Sequence, residues 1–276
     1  MNTLEQFSLQ GKVAVVTAGG GVLCGAIAEA MAEAGATVAV ADLLTEQAEA
    51  RAKTIRQNGG TANAYYMDAF RRETIEEARD KILADFGKID ILVNGVGGNM
   101  KAATTAPDLS FFDIPADALM RVVDLNLVGG VIVPTQVFVK AMLANPNGGA
   151  VINISSMNAF RPLTRIPGYS AAKAAVSNFT QWLAVHLAQE YQPLVRVNAI
   201  APGFFLTEQN RYLLTDKDTG ALTARGQAII SHTPMGRFGA PEDLLGTAIW
   251  LAGDASRFVT GVVIPVDGGF SAFSGV

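Results

Sequence analysis

What most constrains this chain is an end-to-end alternation of short, β-branched apolar runs with stretches of helical periodicity. Residues 13–17, 37–41, 62–67, 89–93, 150–154, 195–199 and 262–266 read as strands. Between them, 26–34, 45–58, 72–86, 116–143, 170–190 and 241–251 read as helices, with Gly35, Gly59 with Gly60, and Gly87 as stops. A strand that is apolar at nearly every residue is buried on both faces, and alternation with helices implies right-handed crossovers and a parallel sheet. The expected fold class is α/β: a doubly wound parallel sheet in three layers, one domain over residues 1–276. Such sheets bind ligands beyond the carboxyl ends of their strands. The stretch 202–237 carries no strand signal, and a helical substrate flap is expected over about 204–237.

Charge and cysteine content narrow the partners. Lys and Arg total 21 against 25 Asp and Glu, a net charge of −4, so no basic excess exists to neutralise nucleic-acid phosphates. A single cysteine, Cys24, cannot pair internally and fits a reducing compartment. Segment 1–10 lacks the charged-then-apolar pattern of a signal peptide. The longest strongly apolar uncharged run, 13–28, holds four glycines and falls short of the ~20 residues a membrane span needs. A cytoplasmic protein with no membrane or nucleic-acid partner is the expectation. His186 and His232 stand alone, so no metal site is expected.

The first strand is followed by Thr17-Ala18-Gly19-Gly20-Gly21-Val22-Leu23-Cys24-Gly25. Glycines between a strand and a helix let the backbone turn sharply and approach a pyrophosphate, and the helix N-terminus supplies free N–H groups. Asp42 closes the second strand, where a carboxylate can accept both adenosine ribose hydroxyls and repels a 2′-phosphate. Leu43 and Leu44 follow, with no adjacent basic residue, which favours NAD over NADP. Asp68, at the end of the third strand, can accept the adenine amino group.

Tyr169 and Lys173 stand four residues apart at the start of a helix, on one face. A phenol with a pKa of about 10 is a poor base at neutral pH, and a nearby ammonium is expected to lower it. That pairing suits general acid–base catalysis. Thirteen residues before Tyr169, Ser156 can donate to a substrate carbonyl oxygen as charge develops there. Asn126 lies inside a long, otherwise apolar helix; it either satisfies a local backbone group or holds a water in a proton relay.

Together these residues resemble the short-chain dehydrogenase/reductase family over essentially the whole chain. The motifs in order are the glycine turn, Asp42, Asp68, Asn94-Gly95-Val96-Gly97, Asn126, Ser156, Tyr169 with Lys173, and Pro202-Gly203 followed by Thr207. The resemblance implies a Rossmann fold, Asn126, Ser156, Tyr169 and Lys173 as the catalytic set, and a homotetramer. For the cofactor it implies contacts from Thr17, Gly19, Gly20, Gly21, Val22, Leu23, Asp42, Asp68, Ala69, Asn94, Gly95, Tyr169, Lys173, Pro202, Gly203 and Thr207. Two departures stand out. The three glycines usual in the family's turn fall on Ala18, Val22 and Cys24, and the usual Asn-Asn-Ala-Gly is Asn94-Gly95-Val96-Gly97.

Within that family the chain looks like the bacterial D-mannonate (fructuronate) oxidoreductases, which implies a polyhydroxylated anion as substrate. Candidate partners for it are Asn99, Lys101, Asn158, Arg161, Arg165, Gln209, Asn210 and Arg211, of which one or two are expected to be ligands. Two alternatives stay open: an NADPH-dependent reductase of 3-oxoacyl or other ketones, and a non-catalytic nucleotide sensor on the same fold. The apolar tail 270–276 suits burial at a subunit contact.

Overall fold

The computed structural model describes residues 2–207, 210–217 and 219–275. Seven parallel strands, β1 (Val13–Thr17), β2 (Thr37–Asp42), β3 (Thr61–Tyr66), β4 (Ile91–Asn94), β5 (Gly149–Ile154), β6 (Val195–Pro202) and β7 (Val263–Val266), form one sheet in the order β3-β2-β1-β4-β5-β6-β7. The order reverses between β1 and β4, which opens a crevice at their carboxyl ends. β1 and β4 are buried at every residue, as a strand sandwiched between helical layers must be.

On one face lie α1 (Val22–Glu33), α2 (Thr45–Gln57) and α9 (Glu242–Ala252), whose Ile27, Met31, Ile55, Leu244 and Leu251 pack on Val16, Val40 and Val93. On the other lie α3 (Arg72–Phe86), α5 (Val133–Met142) and α6 (Pro167–Glu190), whose Ile82, Phe138 and Leu183 pack on Val15, Leu92 and Val197. This is the expected doubly wound architecture. α3 ends where Gly87 turns left-handed at φ 79°.

Three local differences from the sequence reading matter for the site. α1 begins at Val22, four residues ahead of the expected start, because Gly25 is taken into the helix. A Cβ there would collide with the Arg51 guanidinium that lies over it. β6 runs on to Pro202, so the Pro202-Gly203 pair stands directly at a strand end. The long helix is α4 (Ala116–Val123) and α5 joined by a π-helical segment, Asp124–Ile132. Its Gly130 runs so close to the loop after β4 that a Cβ would stand 2.7 Å from the Val96 carbonyl oxygen. The whole helix, Ala116–Met142, is long and apolar enough to cross a membrane by length and composition, with a mean hydropathy of 1.7 over its most apolar window. Asp124 and Lys140 bound its uncharged stretch, and 56% of its most apolar window is buried inside the protein.

The region after β6 folds as a hairpin of two short helices, α7 (Arg211–Leu214) and α8 (Ala224–Ser231), tied by the antiparallel bridge of Thr215 to Leu222. The tail turns back on it: Phe270 meets Phe204 edge-on at 5.3 Å, and His232 lies against Phe270 and Phe273. The tail's aromatic residues are thus half-buried against their own chain. Val276 lies outside the described residues.

Among the described residues, Ala18 is the one non-glycine with positive φ, at 52°. It stands where the phosphate turn reverses and Gly21 N–H donates to the Ala18 carbonyl. A left-handed L-residue costs about 1–2 kcal/mol, more than the roughly 0.5–1 kcal/mol of backbone entropy that glycine adds. Ala18→Gly is therefore expected to raise the denaturant midpoint, by about 0.5–1 kcal/mol in stability. A lowered midpoint would contradict the strain.

Candidate active site

The β1–α1 turn is shaped by close approach. A Cβ on Gly19 would stand 2.8 Å from the Val16 carbonyl oxygen, and one on Gly20 would stand 2.8 Å from Gln47 Cβ. Among the described residues no side chain caps α1, so its first N–H groups face the crevice with the helix dipole behind them. Thr17 Oγ1 donates to the Val93 carbonyl and accepts from Gly95 N–H, locking the ends of β1 and β4 side by side. Asp42 accepts from Gly20 N–H at 3.0 Å and Leu44 N–H at 2.9 Å, which fixes its carboxylate at the rim of the turn. Bare helix N–H groups, an approachable glycine backbone and a fixed carboxylate at the next strand end are the donor and acceptor set a dinucleotide requires.

The departures from the family's turn compensate each other sterically. Cys24, where the family has glycine, places its sulfur where a Cβ on Gly95 would otherwise lie; a Cβ there would overlap Sγ and come within 2.6 Å of the Thr17 carbonyl oxygen. Cys24 is buried at 6% exposure and its thiol is pushed up to about 12, chiefly by burial. It is a packing residue against the β4 loop.

The catalytic candidates converge beyond β4 and β5. A Cβ on Gly97 would stand 2.6 Å from Asn126 Oδ1 and 2.9 Å from Lys173 Nζ, so the missing side chain is what lets these two groups approach. Lys173 is 3% exposed and donates to the Ile154 carbonyl at 2.8 Å. Its Nζ lies 5.7 Å from the centre of the Tyr169 ring. Burial lowers its pKa to about 8, which still leaves it mostly protonated at neutral pH. The Tyr169 phenol, by contrast, is pushed above its ordinary value by burial, while a hydrogen bond with Ser156 pulls the other way. The sequence reading expected a lowered phenol. In this arrangement desolvation outweighs the Ser156 hydrogen bond, and the ammonium is engaged by a backbone carbonyl.

Asn126 is fully buried in the π-helical segment. Its amide donates to the carbonyls of Val122 and Gly98, and its oxygen accepts from Gly98 N–H. Of the two open readings, satisfaction of local backbone groups is the one these bonds describe. The widened helix leaves a carbonyl that the side chain can meet.

Other sequence-derived positions fall elsewhere. Asn94 is wholly buried and donates to Thr135 and Asn153, while Asn153 in turn donates to Thr180. Its side chain joins the sheet to α5 and α6 and does not line the crevice; its Oδ1 has no partner among the described residues. Asp68 lies two residues past β3, in a turn closed on Phe70 N–H, with Ala69 beside it half-buried. Gly203 crosses directly over Asp267, whose Cα would lie 2.7 Å from a Cβ there. Thr207 N–H is held by Asn210 Oδ1, and Asn210 donates in turn to the Phe205 carbonyl, so Asn210 braces the flap.

Asn99, Lys101, Arg161, Arg165 and Arg211 are exposed on the loops after β4, β5 and β6. The first two of these loops are joined by Thr105 N–H donating to the Arg165 carbonyl at 2.9 Å. Asn158 is buried at 6% exposure and bonded within the protein. Gln209 lies outside the described residues. The sequence reading gave no role to Gly97 or to Ser155, whose hydroxyl meets the Lys173 carbonyl and Ser177. An adjacent serine pair at a strand end was the signal available for the latter.

A family model described as enoyl-(acyl carrier protein) reductase matches residues 22–271, and the chain belongs to the short-chain dehydrogenase/reductase family. It is accordingly an NAD(P)-dependent oxidoreductase that acts on CH–OH donors. A crystal structure from Haemophilus influenzae, described as a candidate D-mannonate oxidoreductase with bound NAD, is 47% identical with a TM-score of 0.91 and covers 100% of both chains. The 2-dehydro-3-deoxy-D-gluconate 5-dehydrogenase of Escherichia coli is 35% identical over 98% of this chain and 99% of its own. A gluconate 5-dehydrogenase from Burkholderia cenocepacia, in complex with NADP and tartrate, is 32% identical with a TM-score of 0.85, over 99% of this chain and 100% of its own.

The packing of Cys24 on Gly95 sets an expectation. Gly95→Ala is expected to cost about 1–3 kcal/mol by overpacking, and Cys24→Gly in the same chain to recover part of it, since the Thr17 carbonyl oxygen still crowds the new Cβ. Denaturant melts of the two single variants and the double variant check this. Purely additive losses would show that the two sites do not share space.

Proposed function

We propose that this chain interconverts a secondary alcohol and a ketone on a sugar acid of the mannonate/fructuronate kind, with NAD(H) as its preferred cofactor and Tyr169 as the proton donor and acceptor. The observation that carries the reading is a connected set: Asn126 and Lys173 meet over the Cβ-less Gly97, Lys173 Nζ lies 5.7 Å from the centre of the Tyr169 ring, and Ser156 is hydrogen-bonded with the Tyr169 phenol. A non-catalytic sensor has no use for a buried ammonium beside a phenol.

When bound, the nicotinamide accepts or returns the hydride and, oxidised, adds positive charge near the phenol. The chain's own residues do the rest. In oxidation Tyr169 Oη takes the hydroxyl proton as the C–H pair departs and the carbonyl forms; in reduction it returns that proton to the alkoxide oxygen. Ser156 donates to the same oxygen and holds it near Oη. Lys173, fixed on the Ile154 carbonyl, keeps a positive charge beneath the ring. Asn126 ties the Gly98 backbone to the helix and so holds open the Gly97 passage.

The glycine turn with Thr17, Val22 and Leu23 is the proposed seat of the pyrophosphate, and Asp42 that of the adenosine ribose. Asp68 and Ala69 are assigned to the adenine, and Gly95, Pro202, Gly203 and Thr207 to the nicotinamide half. Asp42, followed by the exposed Leu43 and Leu44, supports NAD over NADP. The exposed cations Lys101, Arg161, Arg165 and Arg211 around the mouth support an anionic substrate, and the 204–237 hairpin is the proposed flap over it. The mannonate, gluconate and dehydrogluconate relatives support the same class. A cytoplasmic homotetramer completes the proposal. Its assembly is supported by the exposed Trp182 and Tyr191 at an apolar groove between α5 and α6.

The test is a panel of hexuronates and aldonates with NAD(H) and NADP(H), followed at the absorbance of the reduced cofactor. Turnover of fructuronate with NADH, lost by about 100-fold or more in Tyr169→Phe, is expected. No turnover on any sugar acid would remove the substrate. Unimpaired turnover in Tyr169→Phe would remove the chemistry.

A further inference from the structure

Ser156 has one proton to give and two lone pairs to receive with. Both lone pairs are engaged by one residue: Asn158 N–H donates to Ser156 Oγ at 3.2 Å, and Asn158 Nδ2 donates to it at 3.3 Å. The other end of the same carboxamide is tied down. Asn158 Oδ1 accepts from Leu163 N–H at 3.0 Å and from the Ser170 hydroxyl at 3.3 Å. Ser170 is the neighbour of Tyr169 in the first turn of α6. Asn158 cannot rotate its amide without losing bonds at both ends, and at 6% exposure it is as buried as Ser156 itself, with its carboxamide bonded inside the protein.

We infer that Asn158 is a positioning residue that makes Ser156 an obligate donor. With both Oγ lone pairs filled from below, the Ser156 proton has one outlet, toward Tyr169 and the substrate oxygen. Through Ser170 the same amide sets the entry of the helix that carries the phenol. The residue looked like a substrate ligand from its polarity and place in the sequence; its bonds instead give it a directing role. The inference rests on the assignment of Ser156 and Tyr169 made above.

A double-mutant cycle between Asn158→Leu and Ser156→Ala in the full chain tests it, read in kcat, KM and melting temperature. Asn158→Leu is expected to lower kcat by about 10-fold or more, a fraction of the 10²–10³ that a whole oxyanion donor provides, with KM for the cofactor unchanged. In the Ser156→Ala background it is expected to lower kcat no further, because the hydroxyl it directs is gone. The rise of the alcohol-oxidation rate with pH is expected to move to higher pH in Asn158→Leu and Ser156→Ala alike. If Asn158→Leu does not fold, Asn158→Asp enters the cycle in its place: the carboxylate still accepts from Leu163 and Ser170, and only the backbone N–H still donates to Oγ. Losses in kcat that add across the cycle, or a raised substrate KM with kcat intact, would overturn the role. Tyr169→Phe reports separately on the parent reading, since its inactivity alongside an additive cycle would remove only Asn158.

Discussion

The site depends on keeping an ammonium inside the protein. Lys173 is almost wholly buried, and its charge is met by the Ile154 carbonyl at the end of β5. A buried charge with poor partners is expensive, and burial here draws the pKa down to about 8, short of neutralising it at neutral pH. The surrounding structure is arranged around that cation. β5 ends so that its last carbonyl faces α6, and Gly97 gives up a side chain so that Nζ and Asn126 can approach. The helix that carries Asn126 is wound in wider, π-helical turns where it passes the β4 loop. The phenol of Tyr169 shares this dry environment and is therefore harder to ionise than a free tyrosine; its ionisation falls to the charges and donors brought beside it.

The cofactor side is governed by volume. A turn that departs from its family at three glycine positions still closes, because the changes are paired in space. Cys24 fills the room that Gly95 leaves, and Arg51 lies over Gly25 while reaching Gly21 O at 3.4 Å and Glu29. Among the described residues, Ala18 is the one non-glycine left in an unfavourable conformation. Thr17 fixes the ends of β1 and β4 side by side beneath this altered turn.

Much of this was legible beforehand. Seven apolar runs separated by helical periods define the sheet, since a parallel strand has to be apolar on both faces, and the Tyr169–Lys173 spacing puts both on one helix face whatever else packs there. What escaped the sequence has identifiable causes. Asn94 was assigned to the cofactor through the family resemblance, yet its amide is turned inward to Thr135 and Asn153, a direction set by the pleat and by neighbours that no motif shows. The α1 start was misplaced because a glycine inside a first turn looks like loop until its partner, Arg51, is in view. The phenol's pKa was inferred from one neighbour, whereas its direction is decided by how much water the fold removes, a property of the whole packing. Asn158 was read as a ligand because polarity near a pocket says nothing about whether the polar atoms are already bonded.

The most direct test of the buried cation is its own titration. The pH dependence of the ¹⁵Nζ signals of labelled lysines, with Lys173→Arg to identify the resonance, gives the ammonium's midpoint. A midpoint of about 8, well below its neighbours on the surface, is the result the structure requires. A Lys173 that titrates with the other lysines near the ordinary value of about 10.4 would contradict it, because the amine would then be in water and not beneath the ring of Tyr169.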